Sequence, residues 1–184
     1  MFAARSTGLA VLIAALSVST SAQQPPASPA TPPQAKPAFE VQVVTLEPVR
    51  ALVLPMKGSY SQHQDALAQL GGFLAQRGVE PTGPPFARYF SDPSVGEANL
   101  VWEVGFPVPA DAPTRAPFEI KELPSTLTAV HVHRGPMEEL GTAWPQMIEW
   151  VVSNGYQISG PASHVFKGDM AASPEVEMRI AVRK

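Results

Sequence analysis

The sequence predicts an α+β fold: two pseudo-symmetric strand-strand-helix-strand-strand modules packed as one domain with a cleft between them. Three observations predict it. The first is a repeat. Lys57-Gly58, Gly78 and Gly83-Pro84 return as Arg134-Gly135, Gly155 and Gly160-Pro161, each 77 residues later. After a three-residue deletion, Glu103-Val104-Gly105-Phe106-Pro107-Val108 is matched by Glu177-Met178-Arg179-Ile180-Ala181-Val182. Glycines, a proline and a glutamate held in register mark a duplication. The second is that residues 39–108 and 118–184 carry the same succession of β-rich and amphipathic segments. The third is size: one half is too small to bury enough apolar surface alone, so two must share a core.

The elements follow in order. Residues 39–46 (FEVQVVTL) and 118–123 (FEIKEL) are short and β-rich, and Pro48 and Pro124 break them. Residues 50–56 and 126–133 are second strands, with Pro55 expected at an edge or strand end because it cannot donate to a ladder. Ala66, Leu67, Leu70, Phe73 and Leu74 fall on one face at helical period. Ser61 with Gln64 predicts a capping box, and Gly78 a C′ residue. In the second half Leu140, Trp144, Met147, Ile148, Val151 and Val152 form the matching stripe, ended by Gly155. Pro145 is tolerated in a first turn, which predicts a start near Thr142. Residues 86–90 with 100–108, and 164–166 with 176–182, close the modules. This order predicts two small sheets, each with a helix on one face.

The first 22 residues predict a secretory signal: Arg5 precedes the apolar run LAVLIAALSV, and Thr20-Ser21-Ala22 offers small residues for cleavage near Ala22. That run is short of the about 20 residues needed to span a membrane, so no stable insertion is expected after cleavage and the expected location is periplasmic or secreted. Residues 23–37 are rich in Pro and Ala and predict a disordered linker before the domain at 38–184. Net charge is −3 without a basic block, which argues against nucleic acid as a partner. The chain has no Cys, which excludes disulfides, thiol catalysis and a lipoprotein anchor.

The domain resembles the GyrI-like (gyrase-inhibitor-like) family, which also supplies the effector-binding domains of AraC-type and MerR-type regulators. Lys57-Gly58-Ser59-Tyr60 resembles the family's Gly-x-Tyr turn before the first helix. Residues 118–124 (FEIKELP) resemble the start of its second module, His133-Arg134-Gly135-Pro136 its second turn, and Asn154-Gly155-Tyr156 its helix end. Asp92-Pro93 resembles the Asp-Pro before the fourth strand, and Glu103 and Glu177 match the acid that opens each closing strand. The resemblance implies a hydrophobic, often cationic small molecule bound between the modules, and for some members hydrolysis of strained or ester-containing xenobiotics. Met137 and Phe166 stand where the family often has Tyr, and Ala181 where it has Pro. No helix-turn-helix is expected before the domain. A binding domain for hydrophobic small molecules is therefore the first expectation, with a protein partner also open. The alternatives are a hydrolase using Glu177 as general base and, by fold analogy with the SOUL haem-binding domain, a tetrapyrrole binder. No resident cofactor is expected.

The residue pattern weighs these readings. Along the last strand Val176, Met178, Ile180 and Val182 share one face, and Glu177, Arg179 and Arg183 the other. Glu177 is thus either a solvent-facing acid paired with Arg179 or, if that face lines the cleft, the counter-charge for a cation or a base of raised pKa. Glu103 lies opposite Leu100, Trp102, Val104 and Phe106 and carries the same two readings. Tyr60, Tyr89, Phe86 and Phe90 are aromatics near turns, suited to cation–π contacts. Trp144, Phe166 and the adaptable Met137 complete the candidate ligand-binding set, while Trp102 reads as core and Trp150 as a second-helix ring. His131 and His133 share a strand face, but a metal needs a third or fourth ligand, and His63 and His164 are not brought near by sequence. No Gly-x-Ser-x-Gly elbow or phosphate-binding glycine loop is present.

Overall fold

The computed structural model describes residues 39–168 and 174–184. The expected signal segment, its cleavage site and the linker lie outside the described residues. The strands are β1 (Gln42–Leu46), β2 (Val49–Lys57), β3 (Phe86–Tyr89), β4 (Val101–Pro107), β5 (Glu119–Leu123), β6 (Thr126–Arg134), β7 (Gln157–Lys167) and β8 (Glu175–Arg183). The α-helices are α1 (His63–Gln76) and α2 (Leu140–Ser153). Both helices begin and end 77 residues apart, in the register of the glycine repeat.

The two modules share one sheet rather than forming two, as the repeat alone suggested. Its order is β1-β6-β8-β7-β3-β4-β2-β5, antiparallel throughout. Two exchanges cause this. The first strand of each half leaves its own module: β1 pairs with β6, and β5 with β2. At the centre β3 pairs with β7, where Ala87 faces His164. Those two residues are themselves 77 apart, so the pseudo-twofold axis runs between them. Two-residue connections, Glu47-Pro48 and Pro124-Ser125, join strands near opposite ends of the order. Such short links hold the sheet's ends together and curl it into a half-barrel.

Each helix covers one module on the same face of the sheet. Leu70, Leu74 and Ala66 of α1 pack with Leu52, Leu54, Trp102 and Val104. Met147, Val151 and Ala143 of α2 pack with Ala129, Val176, Met178 and Ile180. Burying each of the larger aliphatic side chains contributes about 1.5–3 kcal/mol. The opposite face carries a smaller cluster of Ala51, Val53, Phe86 and Val165. There Gly105 makes room for Phe86, whose ring would lie 2.4 Å from an added Cβ.

Local chemistry explains the ends. Gly78 and Gly155 have φ of 65° and 76°. Val79 N–H bonds Leu74 C=O and Gly78 N–H bonds Ala75 C=O; Tyr156 to Val151 and Gly155 to Val152 repeat the pair. Both helices therefore close in the same Schellman motif. The expected capping box is not formed. Instead Ser59 Oγ accepts from Ser61 N–H over a 3₁₀ turn, Tyr60–Gln62, and that turn leads directly into α1. A matching 3₁₀ turn, Met137–Glu139, leads into α2, which begins at Leu140 rather than Thr142. Pro145 is accommodated inside α2 because the bond it removes would fall near the helix start. Pairing between β2 and β5 stops at Val53, two residues short of Pro55.

Candidate functional site

The centre of the sheet's helical face, between α1 and α2, is built on Tyr89 and His164. Tyr89 closes β3, and the β3–β7 pairing sets it beside His164. Its hydroxyl lies 3.0 Å from His63 Nε2 and 2.9 Å from His164 Nδ1. His63 Nδ1 hydrogen-bonds the Tyr60 carbonyl, which only accepts, so that nitrogen carries the proton. His63 Nε2 then accepts the Tyr89 O–H, and the Tyr89 oxygen accepts from His164 Nδ1–H. The chain leaves His164 Nε2 as a bare lone pair, buried and without a partner among the described residues.

The electrostatics agree with neutral groups throughout. Burial, then the repulsion that a protonated ring would meet from His63 and His133, pushes His164 down to about 4. Burial also lowers His63, against the raising effect of its bond to the Tyr60 backbone. Tyr89 is raised by burial and by Tyr60 well beyond a phenol's ordinary value, and burial raises Tyr60. Neither phenol is poised to act as a nucleophile or base.

Aromatic rings surround this chain. Tyr60 meets Tyr89 edge-on at 5.1 Å and Trp102 at 5.8 Å. His63 lies 4.3 Å from Trp102, Trp144 stacks on His164 at 5.2 Å, and Phe166 stands 6.1 Å from His164. Four residues named from sequence, Tyr60, Tyr89, Trp144 and Phe166, are thus brought together. Phe166 and Tyr89 are 77 apart and are related by the pseudo-twofold. Met137 is the counterpart of Tyr60, at the first residue of its 3₁₀ turn and 38% exposed. Trp102 is core, its Nε1 donating to Gly58 C=O at 2.9 Å. Trp150 stacks on Tyr156 instead.

Sequence reasoning missed His63 and His164. The usable signal was the repeat: if the third strands pair across the axis, His164 falls beside Ala87 and within reach of Tyr89. His131 and His133 are occupied elsewhere. His131 Nδ1 bonds Glu40 C=O at 2.7 Å and its ring stacks on Phe39, while His133 Nε2 bonds Pro136 C=O at 3.1 Å. Among the described residues no group of three metal-ligating side chains converges.

Glu103, Glu177 and Phe86 lie on the other face. Strand alternation separates them from Trp102 and Met178, and Phe86 packs against Val53 and Val165. Glu103, 1% exposed, takes Arg88 Nη1 at 2.9 Å and Lys121 Nζ at 2.7 Å. Glu177, 7% exposed, takes Lys167 and Arg179. Burial raises the Glu177 pKa, but hydrogen bonds and charge from Lys167 and Arg179 outweigh it and hold the carboxyl below its ordinary value. That is the reverse of the raised value a general base needs.

Solved structures share this architecture. The C-terminal domain of EcmrR superposes with a TM-score of 0.72 at 16% identity, covering 80% of this chain and 99% of that one. A hydrolase from Listeria innocua gives 0.61 at 13%, covering 80% and 94%. SAV2435 bound to tetraphenylphosphonium gives 0.52 at 12%, covering 79% and 94%. At these identities the likeness is one of fold. No curated protein matches the chain. The family of GyrI-like small molecule binding domains matches residues 29–183, most of the chain and both modules, and the chain belongs to that family.

Proposed function

We propose that the domain binds hydrophobic small molecules, cations among them, in the aromatic cleft between α1 and α2. The observation that carries this is the convergence of Tyr60, Tyr89, Trp144 and Phe166 around a buried, neutral His164 whose Nε2 lone pair has no partner among the described residues. Aromatic faces attract cations by about 0.5–2 kcal/mol each, most when desolvated. A lone pair in an apolar surround favours a ligand that brings a donor, because an unmade bond there costs about 1–3 kcal/mol. Uncharged His164 adds no repulsion. A protonated aromatic amine satisfies both features. The likeness to a fold that holds tetraphenylphosphonium in SAV2435 supports the same ligand class.

The binding reading is favoured over hydrolysis because Glu177, the base that reading needs, sits on the other face and is ion-paired. Export through the segment at residues 1–22 is part of the proposal, supported by its charge and apolar pattern. Intact mass of the protein from periplasmic and cytoplasmic fractions tests it, and full-length protein confined to the cytoplasm would count against it. The ligand proposal is tested by titrating 1-naphthylmethylammonium into the full chain and its Trp144→Ala variant. Tight binding that weakens about tenfold on loss of the ring is expected; equal binding would remove Trp144, and with it this cleft, from the site.

A further inference from the structure

The face of the sheet away from the helices holds a cavity of about 690 Å³ between the Glu47-Pro48 and Pro124-Ser125 connections and the central strands. Its floor has a definite chemistry. The β3–β7 register pairs Arg88 with Ser163, and the β7–β8 register pairs Ser163 with Arg179. The three residues form one row across adjacent strands. With strands ~4.8 Å apart, the two arginines stand about 10 Å from each other with the serine hydroxyl between them. All three line the cavity, with Phe86, Val165 and Leu123 as apolar wall.

Each arginine is held at its back by a buried glutamate, Arg88 by Glu103 and Arg179 by Glu177. A guanidinium carries five N–H donors, so one such bond leaves most of the fork for another partner. Each glutamate also holds a lysine, Lys121 or Lys167, so each trio of two cations and one carboxylate keeps a positive excess. Lys121 also approaches Glu119 at 3.7 Å, and Glu47 is among the cavity's lining residues. The row offers donors and positive charge, the fork geometry that carboxylates and phosphates accept.

We propose that this cavity is a second ligand site, one that takes a small organic anion: a carboxylate set over Ser163 between Arg88 and Arg179, with an apolar body against Phe86 and Val165. It is independent of the aromatic cleft, because adjacent residues on β3, Arg88 and Tyr89, face opposite sides of the sheet. The volume suits a ligand of one or two rings.

The test titrates the full chain with three probes of one shape by calorimetry: 1-naphthoate, 1-naphthylmethanol and 1-naphthylmethylammonium. The naphthoate is expected to bind at least tenfold more tightly than the alcohol. Ser163→Asp, which puts a negative charge between the arginines, is expected to weaken it tenfold or more, and so is Arg179→Gln. Trp144→Ala, in the other cleft, is expected to leave it unchanged. If Arg179→Gln does not fold, Ser163→Asp alone decides. Naphthoate that binds no better than the alcohol, that binds Ser163→Asp as it binds wild type, or that needs Trp144 would overturn the proposal.

Discussion

His164 is expensive to charge where it stands. One ring nitrogen is committed to Tyr89, the other is buried, and its folded pKa is about 4 against an ordinary value of 6.5. The unfolded chain therefore binds a proton that the folded chain refuses. Stability from this residue is fully present above pH 6.5 and is lost as pH falls toward 4, at about 1.4 kcal/mol per pH unit, about 3 kcal/mol in all. Urea denaturation of wild type and His164→Phe across pH 4 to 7 checks this: the variant is expected to have the flatter profile. Glu177 acts in a lower window. Its folded pKa is depressed, so its contribution is present above the ordinary carboxylate value of 4.5 and is lost as pH falls below it. On the same face, Arg88→Met is expected to cost about 3 kcal/mol, because it strips a partner from the fully buried Glu103. Glu103→Gln is expected to cost less, since the cations it leaves can reach water. Much of this was legible residue by residue. The turn position of Tyr60 and the stripe position of Trp144 bring them against Tyr89 and His164. Simple alternation already set Glu177 opposite Val176 and Met178. Only the repeat and the resemblance to relatives drew it toward a cleft between the modules, and the curl of the sheet puts its face on the cavity away from the helices.

At the scale of elements, the repeat is a set of local rules applied twice. Each helix ends in a Schellman motif that requires a left-handed residue, and glycine supplies it at Gly78 and Gly155. Gly155→Ala is expected to destabilise the protein by about 1 kcal/mol through that φ alone, since no other atom lies near its missing Cβ. Gly105→Ala acts differently. It drives a methyl into the buried Phe86 ring and should cost about 1–3 kcal/mol. Thermal melts of the two variants separate the cases, because pairing Gly105→Ala with Phe86→Leu should recover part of the loss while no partner change rescues Gly155→Ala. Helix positions, helix ends and most strands were readable from period and punctuation. The starts were not. A 3₁₀ turn replaces the capping box at Ser61, and α2 carries Pro145 inside it, because in both modules the chain already turns before the helix begins.

The whole molecule departs furthest from what a linear reading gives. A module that reads as a closed unit of four strands and a helix lends its first strand to its twin, and the central β3–β7 ladder fuses the halves into one sheet. Sequence period reports which residues share a face but not which strand lies beside which, so one sheet and two sheets look alike until the pairing is known. That pairing also builds both candidate sites. It sets Tyr89 against His164 on the helical side and Arg88 beside Ser163 and Arg179 on the other. The account's central claim is that the aromatic cleft of the helical side is where this family member holds hydrophobic ligands. Calorimetric titration of tetraphenylphosphonium into the full chain and into Phe166→Ala tests it most directly. The account predicts one site per chain and a loss of about tenfold in the variant, with the variant's melting transition still cooperative. Saturable binding of equal strength in both proteins, or no binding in either, would contradict it.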